Sequence, residues 1–364
     1  MQLPARYAAP ALHEFCRRAL EALGVPGDEA RVTADVLLYA DLHGIDSHGL
    51  VQMSVYERHL RSGAYVARRS ITILHETPAT ALMDGGGGLG HPAGVRAMKL
   101  AIEKARQAGS GVVAVRRSHH FGAAGYYAQL ALDEDMVGFA ITNAGPAVLP
   151  TFGLQPQLGT NPIALAVPTR NEPPFVLDMA TSAKAIGKLD IYIRQGKEVP
   201  DGWLMGSDGG PCHDPSEFVQ ARSSGMLGGL LPLGGAGEET SGYKGFGLGL
   251  GVELLALLAG DNPGPFMNMW PGCPEPTIAH LFWVLRIDAF RAPSEFKADI
   301  DRVLARIRAS PKTPGQERIY TAGEKEFDSV RERRAEGIPL DPRVVESLRR
   351  LAAGLDLEMP EPCN

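Results

Sequence analysis

The sequence predicts a mixed α/β protein whose N-terminal part and C-terminal tail are helical. In the first sixty residues, apolar side chains recur at three-to-four spacing, which is the pattern of amphipathic helices. From about residue 70, short apolar runs with many β-branched residues alternate with helical patterns, as is typical of strands that pack against helices. Helical periodicity returns near the C-terminus, and we expect this tail to pack back on the N-terminal helices.

The individual elements follow from the same patterns. Helices are predicted over residues 11–23, 28–42 and 51–62, with breaks at Pro26-Gly27 and Gly63. Strands are predicted over 71–74, 80–83, 112–115, 137–142, 163–167 and 175–177, with helices over 92–108 and 123–133 between them. A Gly-, Pro-, Ser- and Asp-rich stretch over 202–236 is predicted to have little regular structure. A helix over 244–259, a strand over 282–287 and helices over 294–310 and 341–353 complete the chain.

The composition is that of a globular protein with a substantial core. The 364 residues suffice for one large or two medium domains, and 44% of them are hydrophobic. A net charge of -6 disfavours a nucleic-acid binder, because neutralising phosphates needs clustered Lys and Arg. The N-terminus lacks the apolar stretch of a secretory signal, so we expect a cytoplasmic protein.

The most apolar segment, residues 245–260, is predicted to be a buried helix and not a membrane span. It is shorter than the roughly 20 residues that cross a bilayer, and it contains Glu253. No membrane association is therefore expected.

The four cysteines predict neither a disulfide scaffold nor a metal site. None of them is spaced as a metal-binding pair, and four is few for a chain of this length. We expect reduced thiols at all four positions, which are Cys16, Cys212, Cys273 and Cys363.

A glycine run over residues 84–90 suggests a dinucleotide-binding loop, but its surroundings disfavour that interpretation. The Rossmann fingerprint requires an acidic residue about 20 positions further on, whereas position 104 is Lys. The run is better explained as a flexible turn before the helix from Pro92.

Four short polar clusters between residues 46 and 182 hold the candidate functional side chains. Most place acid/base or hydrogen-bonding groups beside glycine or proline, which is how binding loops are usually built. The clusters are Asp46-Ser47-His48-Gly49, Ser118-His119-His120-Phe121-Gly122, Leu158-Gly159-Thr160-Asn161-Pro162 and Asp178-Met179-Ala180-Thr181-Ser182.

Each cluster also has a purely local interpretation. His48 follows a predicted helix and could cap it, or could be a general acid. His119 and His120 point to opposite sides of an extended chain, so at most one of them faces a given pocket, and a metal site there is disfavoured. Asp178 opens a segment that looks like a helix start, where backbone N–H groups would suit a phosphate. Lys244 could be a surface charge or a cofactor contact.

Taken in order, these clusters resemble the type-2 malate/L-lactate dehydrogenase family, whose relatives include ureidoglycolate and sulfolactate dehydrogenases, diketogulonate reductase and piperideine-carboxylate reductases. The resemblance extends over nearly the whole chain. Beyond the four clusters it rests on the signature over 40–49, Tyr56, Asn143 with Pro150, Gly187-Lys188, the segment 232–235, Tyr243-Lys244-Gly245 and Gly323-Glu324.

The resemblance implies a fold unlike that of Rossmann dehydrogenases. It implies a mixed, largely antiparallel sheet domain that binds NAD or NADP, over residues 71–289. Beside it, residues 1–70 and 290–364 would form a helical domain. It further implies a homodimer with the active site between the domains, acting on a small-molecule substrate.

The resemblance also implies roles for individual residues. His120 is the main candidate acid/base group and His48 the second, while Ser47 and Tyr56 would line the substrate pocket. No metal is implied. The residues expected on or near the nicotinamide cofactor are Asn143, Ala144, Thr160, Asp178, Met179, Ala180, Ser182, Lys244, Gly323 and Glu324.

Gln52 is the departure from the family pattern with most bearing on the substrate. Family members usually carry arginine there, which suits a two-pronged contact with a substrate carboxylate. Either the substrate lacks that carboxylate or another cation replaces the arginine. The sequence therefore predicts an NAD(P)-dependent oxidoreductase for a small 2-oxo/2-hydroxy acid or a related carbonyl compound. The alternatives are a cyclic-imine reductase of the same family and an inactive homologue that acts as a binding protein.

Overall fold

A computed structural model describes residues 4–225, 227–260 and 277–363, so Cys273 lies outside the described residues. The strands are β1 (Arg6–Tyr7), β2 (Thr72–Glu76), β3 (Thr80–Gly88), β4 (Ser110–Ser118), β5 (Met136–Thr142), β6 (Ile163–Val167), β7 (Phe175–Met179), β8 (Leu204–Met205), β9 (Pro211–Cys212), β10 (Gly229–Leu230), β11 (Ile278–Arg286) and β12 (Ile338–Pro339). The helices are α1 (Ala9–Ala22), α2 (Gly27–Leu42), α3 (Met53–Ser62), α4 (Gly90–Ala108), α5 (Ala124–Gln129), α6 (Ile186–Gln195), α7 (Pro215–Ser224), α8 (Gly242–Ala256), α9 (Pro293–Arg308), α10 (Glu324–Glu336) and α11 (Pro342–Gly354).

A seven-stranded sheet forms the middle of the molecule, in the order β2-β3-β4-β11-β5-β6-β7. Only the β3–β4 pair is parallel, and every other neighbouring pair is antiparallel. The apolar stripe of α4 that the sequence predicts, including Met98 and Ala101, packs against β3 and β4. The expectation of a mixed, largely antiparallel sheet beside helices from both termini is confirmed.

The glycine run ends strand β3 and is neither a turn nor a nucleotide loop. Asp84 pairs with Arg116 and Gly88 with Ser118, so four steps along β3 match two steps along β4. This bulge requires left-handed backbone at Gly86 and Gly87, where φ is +68° and +73°. The prediction of a flexible turn was therefore wrong, because the excess residues are absorbed within the sheet.

The two ends of the chain share one hydrophobic core. β1 pairs with β12, α11 packs on α3, and α10 packs on α2. Buried side chains from both ends meet in this core, among them Leu12, Leu37, Met53, Leu348 and Leu351. The packing of the tail on the N-terminal helices is thus as expected, whereas the division into domains 1–70 with 290–364 and 71–289 stays a prediction.

The stretch over 202–236 is more regular than its composition suggests. It contains β8, β9 and β10, which form a three-stranded sheet, and helix α7. With α6 they enclose a small separate core that includes Leu189, Leu204 and Phe218. Two sequence predictions were therefore wrong. This stretch is not largely irregular, and Asp178 lies in β7, because the next helix begins only at Ile186.

Helix α8 is buried on one side only, so its prediction as a buried helix was right for that side alone. Gly245, Gly249, Val252 and Glu253 face inward, whereas several leucines of α8 and of the turn that continues it are exposed. The stretch Gly242–Ala259 is long and apolar enough to cross a membrane by length and composition alone, and 39% of it is buried within the protein. Core helices of soluble proteins can be equally long and apolar. The exposed leucines are Leu248, Leu254, Leu255, Leu257 and Leu258.

Candidate active site

A cleft of about 420 Å³ lies between the helices from the chain ends and the outer strands of the sheet. Its volume falls in the range of small-molecule sites. The lining residues come from α2 and the loop after it (Tyr39, His43, Ile45, Ser47, His48), from residues 122–124 and Gln129, from Thr160 and Pro162, from β7 and beyond (176–178, Ala180, Ala185) and from 320–323 and 325–327.

Two histidine rings stack on each other at one side of this cleft. His48 lines the cleft, and the ring centroid of His120 lies 5.4 Å from that of His48, with 26° between the ring planes. His120 follows the end of β4, while His48 follows α2. The interpretation of His48 as a helix cap was wrong, because α2 ends at Leu42 and His43 occupies the C-cap. His119 points away and stacks on Tyr65, so only one of the adjacent histidines faces His48.

The loop that carries His48 is fastened at several points. Leu50 donates its backbone N–H to the buried Asp41 carboxylate, and Arg333 from α10 donates to the Asp41 carbonyl and to Asp46. Ser47 packs against Gly187 of α6, where an added Cβ would come within 2.4 Å of the Ser47 Cβ. Only a residue without a side chain permits this approach, which accounts for the glycine at position 187.

Both histidines of the stacked pair are neutral near physiological pH. Burial lowers the pKa of His48 to about 4. Burial, with His48 and His280 nearby, lowers the pKa of His120 to about 3. One ring nitrogen of each is already engaged, since Ser47 Oγ lies 2.8 Å from His48 Nδ1 and Tyr56 Oη 2.6 Å from His120 Nδ1. The remaining nitrogens are the ones available for proton exchange.

Tyr56 and Gln52 lie behind the cleft wall and do not line it. Tyr56 is fully buried and bridges His120 to His91, whose Nε2 lies 3.3 Å from the phenol oxygen. Gln52 donates from Nε2 to the Ser47 carbonyl oxygen at 2.7 Å. The structure therefore places both residues where they support Ser47, His48 and His120 from outside the cleft.

Four of the residues expected near the cofactor line the same cleft, namely Thr160, Asp178, Ala180 and Gly323. Asp178 Oδ2 accepts a 2.7 Å hydrogen bond from the backbone N–H of Gly125 at the start of α5. Its side chain is open to the cleft, yet the surrounding protein raises the pKa of Asp178 to about 6. The carboxylate thus has an oxygen left to accept from a ligand.

Asn143 and Ala144 belong to a buried network beneath the cleft. Glu253 of α8 accepts hydrogen bonds from Asn143 Nδ2 and Asn161 Nδ2, each at 2.9 Å. Asn161 Oδ1 accepts from the Ala144 backbone N–H at 3.1 Å. We call Asn143, Asn161 and Glu253 the carboxylate clamp. The Asn143 side chain is thus occupied by protein partners and lies under the cleft.

The remaining predicted cofactor residues are not among those that line the cleft. Met179 is paired with Ile163 in the sheet, and the buried Ser182 donates to the Lys184 carbonyl. Lys244 is exposed in the first turn of α8. Glu324 is buried against Arg308 and Arg318, whose hydrogen bonds, with those from Thr321, outweigh burial and lower its pKa to about 2. Glu324 therefore fastens the start of α10 beside Gly323.

Sequence reasoning did not identify His91 and Glu253 as parts of this site. His91 is fully buried behind Tyr56, and its Nδ1 has no hydrogen-bond partner among the described residues. Glu253 was noted only as a charge within an apolar segment. That mismatch was the available signal, because a carboxylate on the buried side of an apolar helix requires partners.

The cleft suits a nicotinamide ring in shape and chemistry. Small residues flank it, including Gly122, Ala123, Ala180 and Gly323, so a flat ring can approach the backbone closely. The Asp178 carboxylate can accept a hydrogen bond from a carboxamide. Within the described residues, no group of three or more His, Cys, Asp or Glu side chains is arranged to hold a metal ion.

Comparison with known proteins gives a consistent result. The malate/L-lactate dehydrogenase family model matches residues 7–349. A malate dehydrogenase of Pyrococcus horikoshii is 42% identical over 348 residues, covering 95% of this chain and 94% of the relative. An L-sulfolactate dehydrogenase of Methanocaldococcus jannaschii is 37% identical over 346 residues, covering 94% and 95%.

A solved structure agrees over almost the entire fold. Malate dehydrogenase from Entamoeba histolytica superposes with a TM-score of 0.93 at 35% identity, covering 98% of this chain and 99% of that chain. Because the family model and these relatives match nearly the full length, the chain belongs to the malate/L-lactate dehydrogenase family and is an oxidoreductase that acts on a CH–OH group.

Proposed function

We propose that this protein interconverts a small 2-hydroxy acid and its 2-oxo acid with NAD or NADP, and that His120 is the principal acid/base group. The observation that carries the proposal is that His48, which stacks on His120, lines the same cleft as Asp178. Imidazole is the side chain best matched to proton exchange near neutral pH. This arrangement provides a proton-transfer group and a polar anchor at one cleft.

The chain's own residues would orient the reactants and handle the proton. A bound nicotinamide supplies or accepts the hydride at the reacting carbon. In the reducing direction, protonated His120 donates a proton to the substrate oxygen, and in the oxidising direction neutral His120 accepts it. The negative charge of a bound acid raises the pKa of His120 and so favours its protonated form. His48 and Ser47 complete the polar surface around the substrate oxygen.

The residues proposed to serve the cofactor fall into two sets. Thr160, Asp178, Ala180 and Gly323 line the cleft and are the proposed direct contacts. The other predicted cofactor residues shape the surrounding segments from outside the lining. They are Asn143, Ala144, Met179, Ser182, Lys244 and Glu324.

The substrate carboxylate requires a different anchor from that of most relatives. Gln52 brings no charge and is engaged with the Ser47 carbonyl. Among the described residues that line the cleft, Lys325 is the one lysine or arginine. We therefore assign the anchoring charge to Lys325, with a substrate screen of mono- and dicarboxylic oxo acids and cyclic imines as the check.

The proposal also includes a homodimer and a cytoplasmic location. Large exposed apolar patches on soluble proteins usually mark interaction surfaces. The exposed leucines of α8 and the turn after it form such a surface, and we assign it to contact with a second copy of the chain.

Titration with NADH and NADPH, followed by reduced-nicotinamide fluorescence, is the first test. Saturable binding of either nucleotide is expected, and the ratio of the two Kd values selects the cofactor for the substrate screen. Absence of binding by both nucleotides would contradict the proposal.

The second test compares two neighbouring histidines. His120→Ala should lower kcat by roughly 100- to 10,000-fold, the range for loss of a general acid/base, with cofactor binding retained. His119→Ala is the matched control, because His119 is also buried but points away from the cleft. Equal turnover in both variants would remove His120 from the proposed role.

A further inference from the structure

The carboxylate clamp joins three segments that are distant in sequence. Asn143 follows β5, Asn161 precedes β6, and Glu253 lies on the inner side of α8. All three residues are almost completely excluded from solvent. Since buried polar groups are costly unless they are paired, this arrangement requires that every donor meets an acceptor.

Backbone partners fix the orientation of both asparagine amides. Asn143 Oδ1 accepts from the Ala279 N–H at 2.9 Å, so its Nδ2 must face Glu253. Asn161 Oδ1 accepts from the Ala144 N–H, and its Nδ2 donates to both the Gly249 carbonyl and Glu253. Rotating either amide by a half-turn would place a donor against a donor and an acceptor against an acceptor. Each amide therefore presents a donor to Glu253.

Two facing donors require two acceptor oxygens, and Glu253 presents Oε1 to Asn143 and Oε2 to Asn161. No lysine, arginine or histidine of the described chain forms an ion pair with Glu253, so the two amides are its counterparts. Burial raises the pKa of Glu253, and the hydrogen bonds from Asn143 and Asn161 oppose that rise.

The clamp acts on the part of the cleft assigned to the cofactor. Asn161 lies between Thr160 and Pro162, which both line the cleft. Its φ of +36° is in the left-handed region, which costs free energy for a residue other than glycine and has to be held by contacts. Thr181, just beyond β7, donates from Oγ1 to the carbonyls of residues 160 and 161. The clamp and Thr181 thus hold this segment from two sides.

We infer that Glu253 is a positioning residue that sets the cofactor side of the cleft by holding Asn143 and Asn161 as paired donors. The inference rests on the proposed function of the cleft as the nicotinamide site. Glu253 is not among the residues that line the cleft. Its effect is on the geometry of Thr160 and the residues around it.

Exchanging the amide of Asn143 and the carboxylate of Glu253 between the two positions tests this inference. Glu253→Gln sets an amide donor against one of the asparagine donors, and Asn143→Asp alone sets two carboxylates face to face. In the double variant Glu253→Gln/Asn143→Asp, the new carboxylate at position 143 can accept from the Ala279 N–H and from the new amide at position 253. The oxygen of that amide still accepts from Asn161. The full hydrogen-bond pattern and the total charge are then restored.

The measurement is the Kd of the full-length protein for NADH and NADPH, beside the thermal unfolding temperature. Each single variant should weaken binding on the order of 10-fold, the effect expected of an unpaired buried polar group. The double variant should recover to within about 3-fold of the original protein. Glu29→Gln is the control, because it breaks the buried Arg69–Glu29 pair away from the cleft and should lower stability without changing Kd.

The possible results distinguish failure of this inference from failure of the proposed function. Recovery in the double variant supports the inference even where a single variant does not fold. A folded Glu253→Gln variant with unchanged Kd, or a folded double variant that binds no better than the single variants, overturns it. Absence of nucleotide binding by the original protein would overturn the proposed function and this inference with it.

Discussion

At the level of single residues, the histidines of the stacked pair owe their character to what surrounds them. Both rings are half-buried, and the resulting desolvation keeps His48 and His120 uncharged at neutral pH. Each ring also has one nitrogen committed to a neighbouring hydroxyl. A protonated ring in this environment is a strong acid, which suits proton donation to a substrate oxygen.

Gln52 is predicted to act through the loop that carries Ser47 and His48. Gln52→Ala removes the hydrogen bond to the Ser47 carbonyl. We expect kcat/KM to fall roughly 2- to 10-fold, which corresponds to the net free energy of one such hydrogen bond. Gln52→Glu should be more damaging, because a carboxylate next to a carbonyl oxygen repels it. Steady-state kinetics of both variants provide the measurement.

The control for Gln52 is another glutamine that bonds through its amide. Gln107 donates to Glu103 on the exposed face of α4, so Gln107→Ala should leave kinetics unchanged. Wild-type kcat/KM in Gln52→Glu would show that the Ser47 tether has no part in catalysis.

At the level of elements, periodicity predicted the helices that bury one apolar face. α1 to α4 and α11 lie where the apolar spacing placed them, with boundaries that differ by at most two residues. The sequence predicted that a helix begins at Asp178, because Asp-Met-Ala-Thr-Ser has the composition of a helix N-cap. Asp178 and Met179 instead continue strand β7, and no local pattern indicates the pairing of residues 175–179 with β6. The two-residue strands β8, β9 and β10 carry too little pattern to detect.

Helix α8 is a second element whose surroundings could not be predicted from the sequence alone. Its sequence is mostly apolar, which predicted a buried helix. In a single chain, only the side with Gly245, Gly249 and Val252 is covered. Single-sequence patterns do not distinguish a helix buried in its own chain from one buried against a second copy.

The outer face of α8 and of the turn that continues it is predicted to form the interface of the proposed homodimer. Leu254 and Leu258 are 57% and 62% exposed and lie one turn apart. The double variant Leu254→Glu/Leu258→Glu should halve the mass measured by light scattering, because charges replace an apolar contact.

The dimer prediction has a control of similar character. Val303 on α9 is 53% exposed, and Val303→Glu should leave the mass unchanged. A dimeric mass for the leucine double variant would assign the interface elsewhere.

At the level of the whole molecule, the sequence identified the chemistry of the site better than its geometry. The polar clusters and their family resemblance pointed to His48, His120 and Asp178, and the structure places His48 and Asp178 in the lining of one cleft, with His120 stacked on His48. The clamp and the Tyr56–His91 pair were not predictable, since their partners lie from 35 to 110 residues apart and depend on how the sheet and helices assemble. Local patterns carry no information on such distant pairs.

The stability of the protein is predicted to fall as the pH is lowered from 7 to 5. Seven histidines have a folded-state pKa below the ordinary value, so below about pH 6.5 the unfolded chain binds protons that the folded chain does not. Stability is then lost progressively as the pH falls toward the folded-state pKa values, which are about 4 for His48 and about 3 for His120. The seven are His43, His48, His59, His91, His119, His120 and His280.

Buried carboxyls act in the opposite direction but are fewer. Burial raises the pKa of Asp41 to about 7 and of Asp178 to about 6, and it also raises the pKa of Glu29 and Glu253. A raised pKa favours proton binding by the folded state, so Asp41 and Asp178 partly offset the histidines between pH 7 and 5. We expect a net loss of at least about 1 to 2 kcal/mol between pH 7 and 5, measured by urea unfolding. An equal or higher unfolding free energy at pH 5 would contradict this.

The buried tyrosine between two histidines has a consequence for how many protons move in one turnover. Tyr56 has a single hydroxyl proton and lies between His120 Nδ1 and His91 Nε2. When His120 is doubly protonated, its Nδ1–H must donate to the phenol oxygen, and Tyr56 must then donate to His91. When His120 is neutral with its proton on Nε2, both hydrogen bonds run the other way. His120 exchanges its proton with the substrate at Nε2, so the neutral ring that results keeps its Nδ1–H. Both hydrogen bonds then keep their direction, and only one proton moves in a turnover.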